Sequence, residues 1–366
     1  MTTPATTTAV DPVQLVRDLI RASTVSGDPG PQRDALGVVT DVLRAKAPHL
    51  QVTSGRDPDH PWTLLRTPTD QARPQLLLAC HVDTVPVPDA REWQRDPFGA
   101  DLDEGRVWGR GGSDMKAGLV AAAVALADAD PEIPVALLLT SDEEIGSKGA
   151  AAAAPAVAEQ RIGAVIVPEA TGNEVVLGHK GALWLAIRTA GRAAHGSTPE
   201  RGHNAILDLA ALLARAGGRI PLRTDDFLGT ETWNPGAVSG GAVFNVVPDR
   251  AEVLVDMRTV AAGDELLRWW QEQPEVAEVE VRVDLPPVGT PADDPWVTGL
   301  PAPKLQRPAT YFTDASVLVE VVQGAPIVVW GPGTPAVMHA RDEYVERSEL
   351  EQAVAVFGDV IARWPR

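Results

Sequence analysis

Four short runs, "QLLLAC", "VALLLT", "AVIVP" and "APIVVW", are apolar without interruption. That pattern belongs to strands buried on both faces, not to strands with one wet side. Helix-like or long segments separate them, so the runs predict the centre of a mostly parallel sheet in an α/β domain. Each run ends in polar or glycine residues: "HVDT", "SDEE", "EATG" and "GPG". Open α/β sheets bind ligands at the carboxyl ends of their strands, so these four clusters are where a site is expected. Helices are predicted at "VDPVQLVRDLIRAST", where Asp11 can cap and Pro12 can occupy the first helical position, and at "RDALGVVTDVLRAKA".

Between residues 180 and 288 the pattern changes to alternating strands, "ALWLAIRTAG", "GAVFNVVP", "AEVLVDMRT" and "AEVEVRVDL", with helices at "NAILDLAALLARAGG" and "GDELLRWWQEQ". A β-α-β-β-α-β order builds a ferredoxin-like α+β sandwich with antiparallel pairing. The expected organisation is therefore one domain at 1–179 and 289–366 with a second inserted at 180–288, in keeping with 366 residues and 44% hydrophobic content. "GAAAAAPAVAEQ" reads as a surface helix broken at Pro155.

Charge narrows the partners. Lys plus Arg number 32 against 50 Asp plus Glu, a net charge of −18, which opposes attraction to nucleic acid or anionic membrane. The only cysteine, Cys80, lies in an apolar run and is expected to be a buried small hydrophobe, which fits a reducing compartment. "MTTPATTTAV" lacks the features of a signal peptide and reads as a loose tail, and no run of about 18 apolar residues follows. A cytoplasmic protein is expected.

The polar residues at the strand ends are His81 and Asp83, Glu143 and Glu144, and Glu169; Asp114 of "GRGGSDMKAG" and His339 of "GPGTPAVMHARDEY" join them. Taken singly, each has an ordinary explanation: a satisfied histidine, a solvated turn, or, for Asp114, the N-cap of the helix "MKAGLVAAAVALADA". Together they form a histidine and carboxylate set without thiolates, which suits zinc, cobalt or manganese. Adjacent acids repel unless cations neutralise them, so "DEE" is tolerable where at least one member binds metal.

The motifs "HVDTVPV", "GRGGSDMKAG", "SDEEIGSKGA", "GHKGALW", "AAHGSTP" and "GPGTPAVMHARDE" resemble those of the co-catalytic di-zinc amidohydrolases and exopeptidases. That family includes succinyl-diaminopimelate desuccinylase, acetylornithine deacetylase, aminoacylase and glutamate carboxypeptidase. The resemblance, which runs from residue 11 to the end, implies a catalytic domain with an inserted dimerisation or lid domain. It assigns His81 and Glu169 to one cation, Glu144 and His339 to another, and Asp114 to both. Asp83 would orient His81, Glu143 would act as general base, and His195 would steady the oxyanion. Arg258 and Asn245 resemble residues that hold a substrate carboxylate, while Gly331 and Gly333 would let backbone N–H groups approach an anion. "YFTD" and the Ala170 of "PEAT" depart from the family's pattern, which bears on substrate choice.

The resemblance implies a homodimer, formed through the inserted domain, that removes an N-acyl group from an amino acid or diamino acid in amino-acid biosynthesis. The alternative is a metallo-carboxypeptidase or dipeptidase using the same site. A metal-bound protein without activity is a third reading, and the presence of Glu143 argues against it.

Overall fold

The computed structural model describes residues 10–365, so the expected N-terminal tail lies outside the described residues. The chain divides into two compact units: unit 1 holds the residues up to Gly178, Gly289–Ala309 and Thr313 onward, and unit 2 holds His179–Val288 with Thr310–Phe312.

Unit 1 is built on strands β1 (Gln51–Ser54), β2 (Thr63–Arg66), β3 (Gln75–His81), β4 (Val135–Thr140), β5 (Ile162–Ala170) and the later strand Ile327–Gly331. β4, β3, β5 and Ile327–Gly331 lie side by side and run parallel. They are the four apolar runs, and β3, β4 and Ile327–Gly331 are buried along their whole length. β2 extends the sheet antiparallel to β4, and β1 extends it antiparallel to β2. At the other end, Val175–Val176 and Lys304–Leu305 complete an eight-stranded sheet. The register sets His81 beside Thr140 and Ala170 beside Gly331, so the polar clusters that follow these strands share one edge.

The helices of unit 1 include α1 (Pro12–Arg21), α2 (Pro29–Lys46), α3 (Ala117–Ala127) and α4 (Lys148–Ala158), followed by Arg347–Ala362 near the C-terminus. Asp11 caps α1 by accepting from the N–H groups of Val13 and Gln14. α3 has no polar face and all of its residues are buried, as a helix must be when it is covered by the sheet on one side and by other helices on the other. Its start lies so close to β5 that a Cβ on Gly118 would come within 1.7 Å of the Pro168 carbonyl oxygen. α4 runs unbroken through Pro155, contrary to expectation. Pro155 is exposed, so water can solvate the one carbonyl whose helical hydrogen bond is lost. Cys80 is fully buried.

Unit 2 contains β6 (Gly181–Ala190), α5 (Ala205–Arg219), β7 (Thr232–Gly240), β8 (Arg250–Thr259), α6 (Asp264–Gln271) and β9 (Val276–Leu285). The sheet order is β7-β8-β6-β9 with every pair antiparallel. Leu183, Leu185 and Ile187 of β6 and Val253, Val255 and Met257 of β8 point the same way, into a core closed by Leu209 and Leu212 of α5 and by Leu266 and Trp270 of α6. On β6 and its neighbours, Arg188 pairs with Glu252, Glu278 and Glu280. "GAVFNVVP" is a loop and not the expected strand; the strand lies upstream in "TWNPGAVSG". β7 tolerates Pro235 because it is an edge strand, where a missing N–H costs no ladder bond, and the register shifts between Pro235 and Ala237.

Candidate metal centre

Five side chains of unit 1 converge in two groups: His81, Asp114 and Glu169, and Asp114, Glu144 and His339. His81 Nε2 stands 3.3 Å from both Asp114 Oδ1 and Glu169 Oε1. His339 Nε2 stands 3.0 Å from both Asp114 Oδ2 and Glu144 Oε2. Asp114 thus turns one carboxylate oxygen to each group. It is not a helix N-cap: α3 starts at Ala117, and Asp114 and Met115 sit in a kink with non-helical dihedrals.

The donor set fits divalent cations. Glu169 Oε2 is buried and has no hydrogen-bond partner among the described residues, which is costly unless something else engages it. Burial, with the Asp114 charge adding to it, pushes the Glu169 carboxyl up to about 7. The bonds to Asp114 and then Glu144 raise His339 to about 10. Burial also acts on Asp114, but the bonds from His339 and His81 outweigh it and hold this carboxyl well below its usual range. This is the electrostatics of a carboxylate-rich cluster that lacks positive charge, and bound cations would supply it.

The turn after β4 separates the two glutamates. Asp142 adopts a left-handed conformation (φ 53°), and its carboxylate accepts from the Gly27 N–H and the Gln32 amide, both at 2.8 Å, and pairs with His60 Nδ1 at 2.9 Å. The Asp83 carboxylate accepts from the N–H groups of Glu143 (3.1 Å) and Glu144 (3.3 Å) and from the Ser26 hydroxyl (2.7 Å). Asp83 also lies behind His81, whose Nδ1 is 3.1 Å from the Asp83 carbonyl oxygen and 3.4 Å from Oδ1. Glu143 belongs to neither group, and its buried Oε1 has no partner among the described residues. Burial, ahead of repulsion from Glu144, Asp314 and Glu169, pushes its carboxyl well above the usual range.

Three other nominated residues lie in unit 2. His195 is exposed; its Nδ1 accepts from the Ser197 N–H at 3.1 Å, so the neutral ring carries its proton on Nε2. Asn245 is in the exposed loop before Pro248, where its carbonyl accepts from the Gly196 N–H at 2.7 Å. Arg258 pairs with Asp256 and lies over the Phe312 ring, and its buried Nη1 has no partner among the described residues. Gly331 and Gly333 are in unit 1, and neither N–H is left over for an anion: the first donates to Thr171 Oγ1 and the second to Glu349 Oε2. Glycine is needed there for space, since a Cβ would meet Pro168 at Gly331 and Ser113 at Gly333. Reading the sequence did not single out His60, Gln32, Arg110 or Glu343. Each acts through a partner far along the chain; Arg110 and Glu343 stood within quoted motifs, "GRGGSDMKAG" and "GPGTPAVMHARDEY", but nothing in those motifs pairs one with the other.

A parallel-sheet edge that gathers two histidine–carboxylate groups around one shared aspartate is the framework of a metal-dependent hydrolase. Residues 77–363 match the profile of peptidase family M20/M25/M40. The chain belongs to that family, and it is a metal-dependent hydrolase acting on amide bonds. It is 30% identical to a succinyl-diaminopimelate desuccinylase from Maricaulis maris, over 96% of this chain and 95% of that one. It is also 30% identical to a probable carboxypeptidase from Aspergillus terreus, over 94% of this chain and 84% of that one. An M20-family metallo-carboxypeptidase from Sulfolobus solfataricus shares the fold, with a TM-score of 0.81 at 19% identity, covering 97% and 99% of the two chains.

Proposed function

We propose that this enzyme removes a small acyl group, succinyl or acetyl, from the amine of an amino acid or diamino acid, using two divalent cations, with zinc the first choice and cobalt or manganese the alternatives. The observation that carries the two-cation reading is the divided Asp114 carboxylate, with one oxygen facing each group of donors. His81 and Glu169 would hold one cation, Glu144 and His339 the other. Cations bound there supply Lewis-acid polarisation of the scissile carbonyl and acidify the attacking water. Glu143 takes a proton from that water and passes it to the departing amine nitrogen, a role suited to a buried carboxylate outside both donor groups whose affinity for protons is already raised. Asp83 fixes this base by holding the backbone on both sides of the Glu143–Glu144 peptide, and it orients His81 from behind.

Unit 2 supplies the remaining roles. His195, with its proton on Nε2, donates to the oxyanion formed when the carbonyl is attacked. Arg258 and Asn245 hold the substrate carboxylate, and the unpartnered Nη1 of Arg258 supports that reading. The inserted unit also joins two copies of the chain, consistent with the open edge of β7 and with an exposed loop in which Phe244 is uncovered. The buried free thiol of Cys80 fits a cytoplasmic location, and among the described residues no helix is long and apolar enough to cross a membrane.

The second reading is a carboxypeptidase or dipeptidase, favoured by the equal identity to the Aspergillus protein. Chelator-treated protein reloaded with zinc or cobalt and offered N-succinyl-diaminopimelate, N-acetylornithine and a dipeptide side by side decides between them. Preference for an N-acyl substrate supports the first reading. Preference for the dipeptide replaces it, and inertness toward all three with metal bound removes both.

A further inference from the structure

Glu343 has no part in the chemistry above, yet it is fully buried and its carboxylate accepts four hydrogen bonds. Arg110 Nη1 donates at 2.6 Å, and the backbone N–H groups of Gly111, Ser113 and Asp114 donate at 3.1, 2.9 and 3.0 Å. Three of these donors come from the irregular segment that begins at Gly111, whose φ is +83°, and passes through the kink at Asp114. A buried N–H must find an acceptor, and a segment off the helical path offers few carbonyls for the purpose. One carboxylate can accept about four hydrogen bonds, so Glu343 is filled by this single segment and its arginine.

The same assembly reaches the other side of the cluster. Arg110 Nη2 lies 3.4 Å from the carbonyl oxygen of His339, and the Ser113 hydroxyl donates to the Tyr344 carbonyl at 2.7 Å. The Gly109 N–H donates to the Glu343 carbonyl at 2.8 Å, continuing the pairing of Arg106–Trp108 with Tyr344–Glu346. Thus the backbone of Asp114 and the backbone of His339 are tied to one buried ion pair. Burying such a pair is weak evidence of stabilisation, because the desolvation of both charges offsets much of their attraction. What the pair does specify is position. Asp114 commits both carboxylate oxygens to the donor groups, so its placement depends on its backbone, which Glu343 holds directly.

We propose that Glu343, acting with Arg110, is a positioning residue that fixes the Asp114 carboxylate relative to His339 and so sets the second cation's subsite. The inference rests on the two-cation reading of Asp114. The test is calorimetric titration of chelator-treated protein with cobalt(II), with the visible absorption of the bound ion recorded in parallel. Parent, Glu343→Gln, Arg110→Met and Asp114→Asn are compared, with thermal melting as the measure of folding. Glu343→Gln is expected to bind one cobalt as the parent does, to bind the second about 10- to 100-fold more weakly, and to show altered visible bands. Arg110→Met, which leaves the backbone N–H groups bonded, should shift the same two readouts by less.

A purely structural role would lower the melting temperature and leave affinity and spectrum unchanged; that outcome overturns the proposal. If Glu343→Gln does not fold, Arg110→Met decides by the same two readouts. A parent that binds a single cobalt also overturns it, since there is then no second subsite to set. If Asp114→Asn binds two ions as tightly as the parent, the two-cation reading itself fails, which is distinguishable from a failure confined to Glu343.

Discussion

Glu143 and Glu144 are adjacent in sequence and opposite in surroundings. Glu144 faces His339, while Glu143 is buried with an oxygen that bonds to nothing. Replacing Glu143 with alanine removes the proposed proton carrier and leaves every candidate donor in both groups. Cation content by elemental analysis should therefore stay at the parent value while kcat falls by about 10²-fold or more. Loss of cation from this variant, with retention in Glu144→Ala, would mean that the two roles are exchanged. Asp114→Asn makes the opposite prediction. A neutral amide bridges two cations poorly, so at least one ion should be missing after gel filtration, and full content would refute the bridge. At this scale the residues that converge in the two groups were legible in the sequence, because each follows an apolar run or sits in a glycine-rich turn. The sequence did not disclose Asp142's partners or Glu343's, because those contacts join residues 82 to 233 positions apart.

Elements were legible where burial is complete and obscure where it is partial. The four central strands carry a signal that survives any local ambiguity, since every residue in them must be apolar. The loop 241–248 misled because "AVFNVV" has strand-like composition, although its side chains are largely exposed. β7 lies upstream of its expected place in a segment that contains Pro235, which an edge strand tolerates, and edge position cannot be seen in a single segment. The helix α6 is short, and its attachment depends on one large side chain: Trp270 is fully buried against β8 and stands edge-to-face with Trp233 and Trp269. Trp270→Ala should cost unit 2 about 3–5 kcal/mol, read by denaturant unfolding. A loss below about 1 kcal/mol would show that the cavity collapses and that α6 is held by other contacts.

For the molecule as a whole, the proposed dimer predicts that His195 serves the metal centre of a partner copy. Mixing Glu143→Ala with His195→Ala protein under conditions of subunit exchange gives the answer. If the histidine acts across a dimer, some mixed dimers contain one intact centre with one intact His195, and activity reappears from two inactive preparations. If exchange is demonstrated and no activity returns, the partner-copy prediction is wrong.

The division of unit 1 into separate stretches of chain has a consequence in time. A ribosome releases residues in order, and domains tend to fold as units during synthesis. Unit 2 is almost one continuous segment, completed by Thr310–Phe312, whereas unit 1 must wait for Ile327–Gly331 to enter its sheet and for Arg347–Ala362 to cover α3. Until then the apolar α3 lacks the helix that packs most extensively on its outer side and is covered there only by α1 and α2, so the growing polypeptide carries a partly bare stretch that invites chaperone binding or association with other nascent chains. Four of the five candidate donors, His81, Asp114, Glu144 and Glu169, precede unit 2 in the chain, and His339 follows it. The group of Asp114, Glu144 and His339 is therefore completed only after unit 2 has been made, whereas the group of His81, Asp114 and Glu169 has all its residues before unit 2 begins.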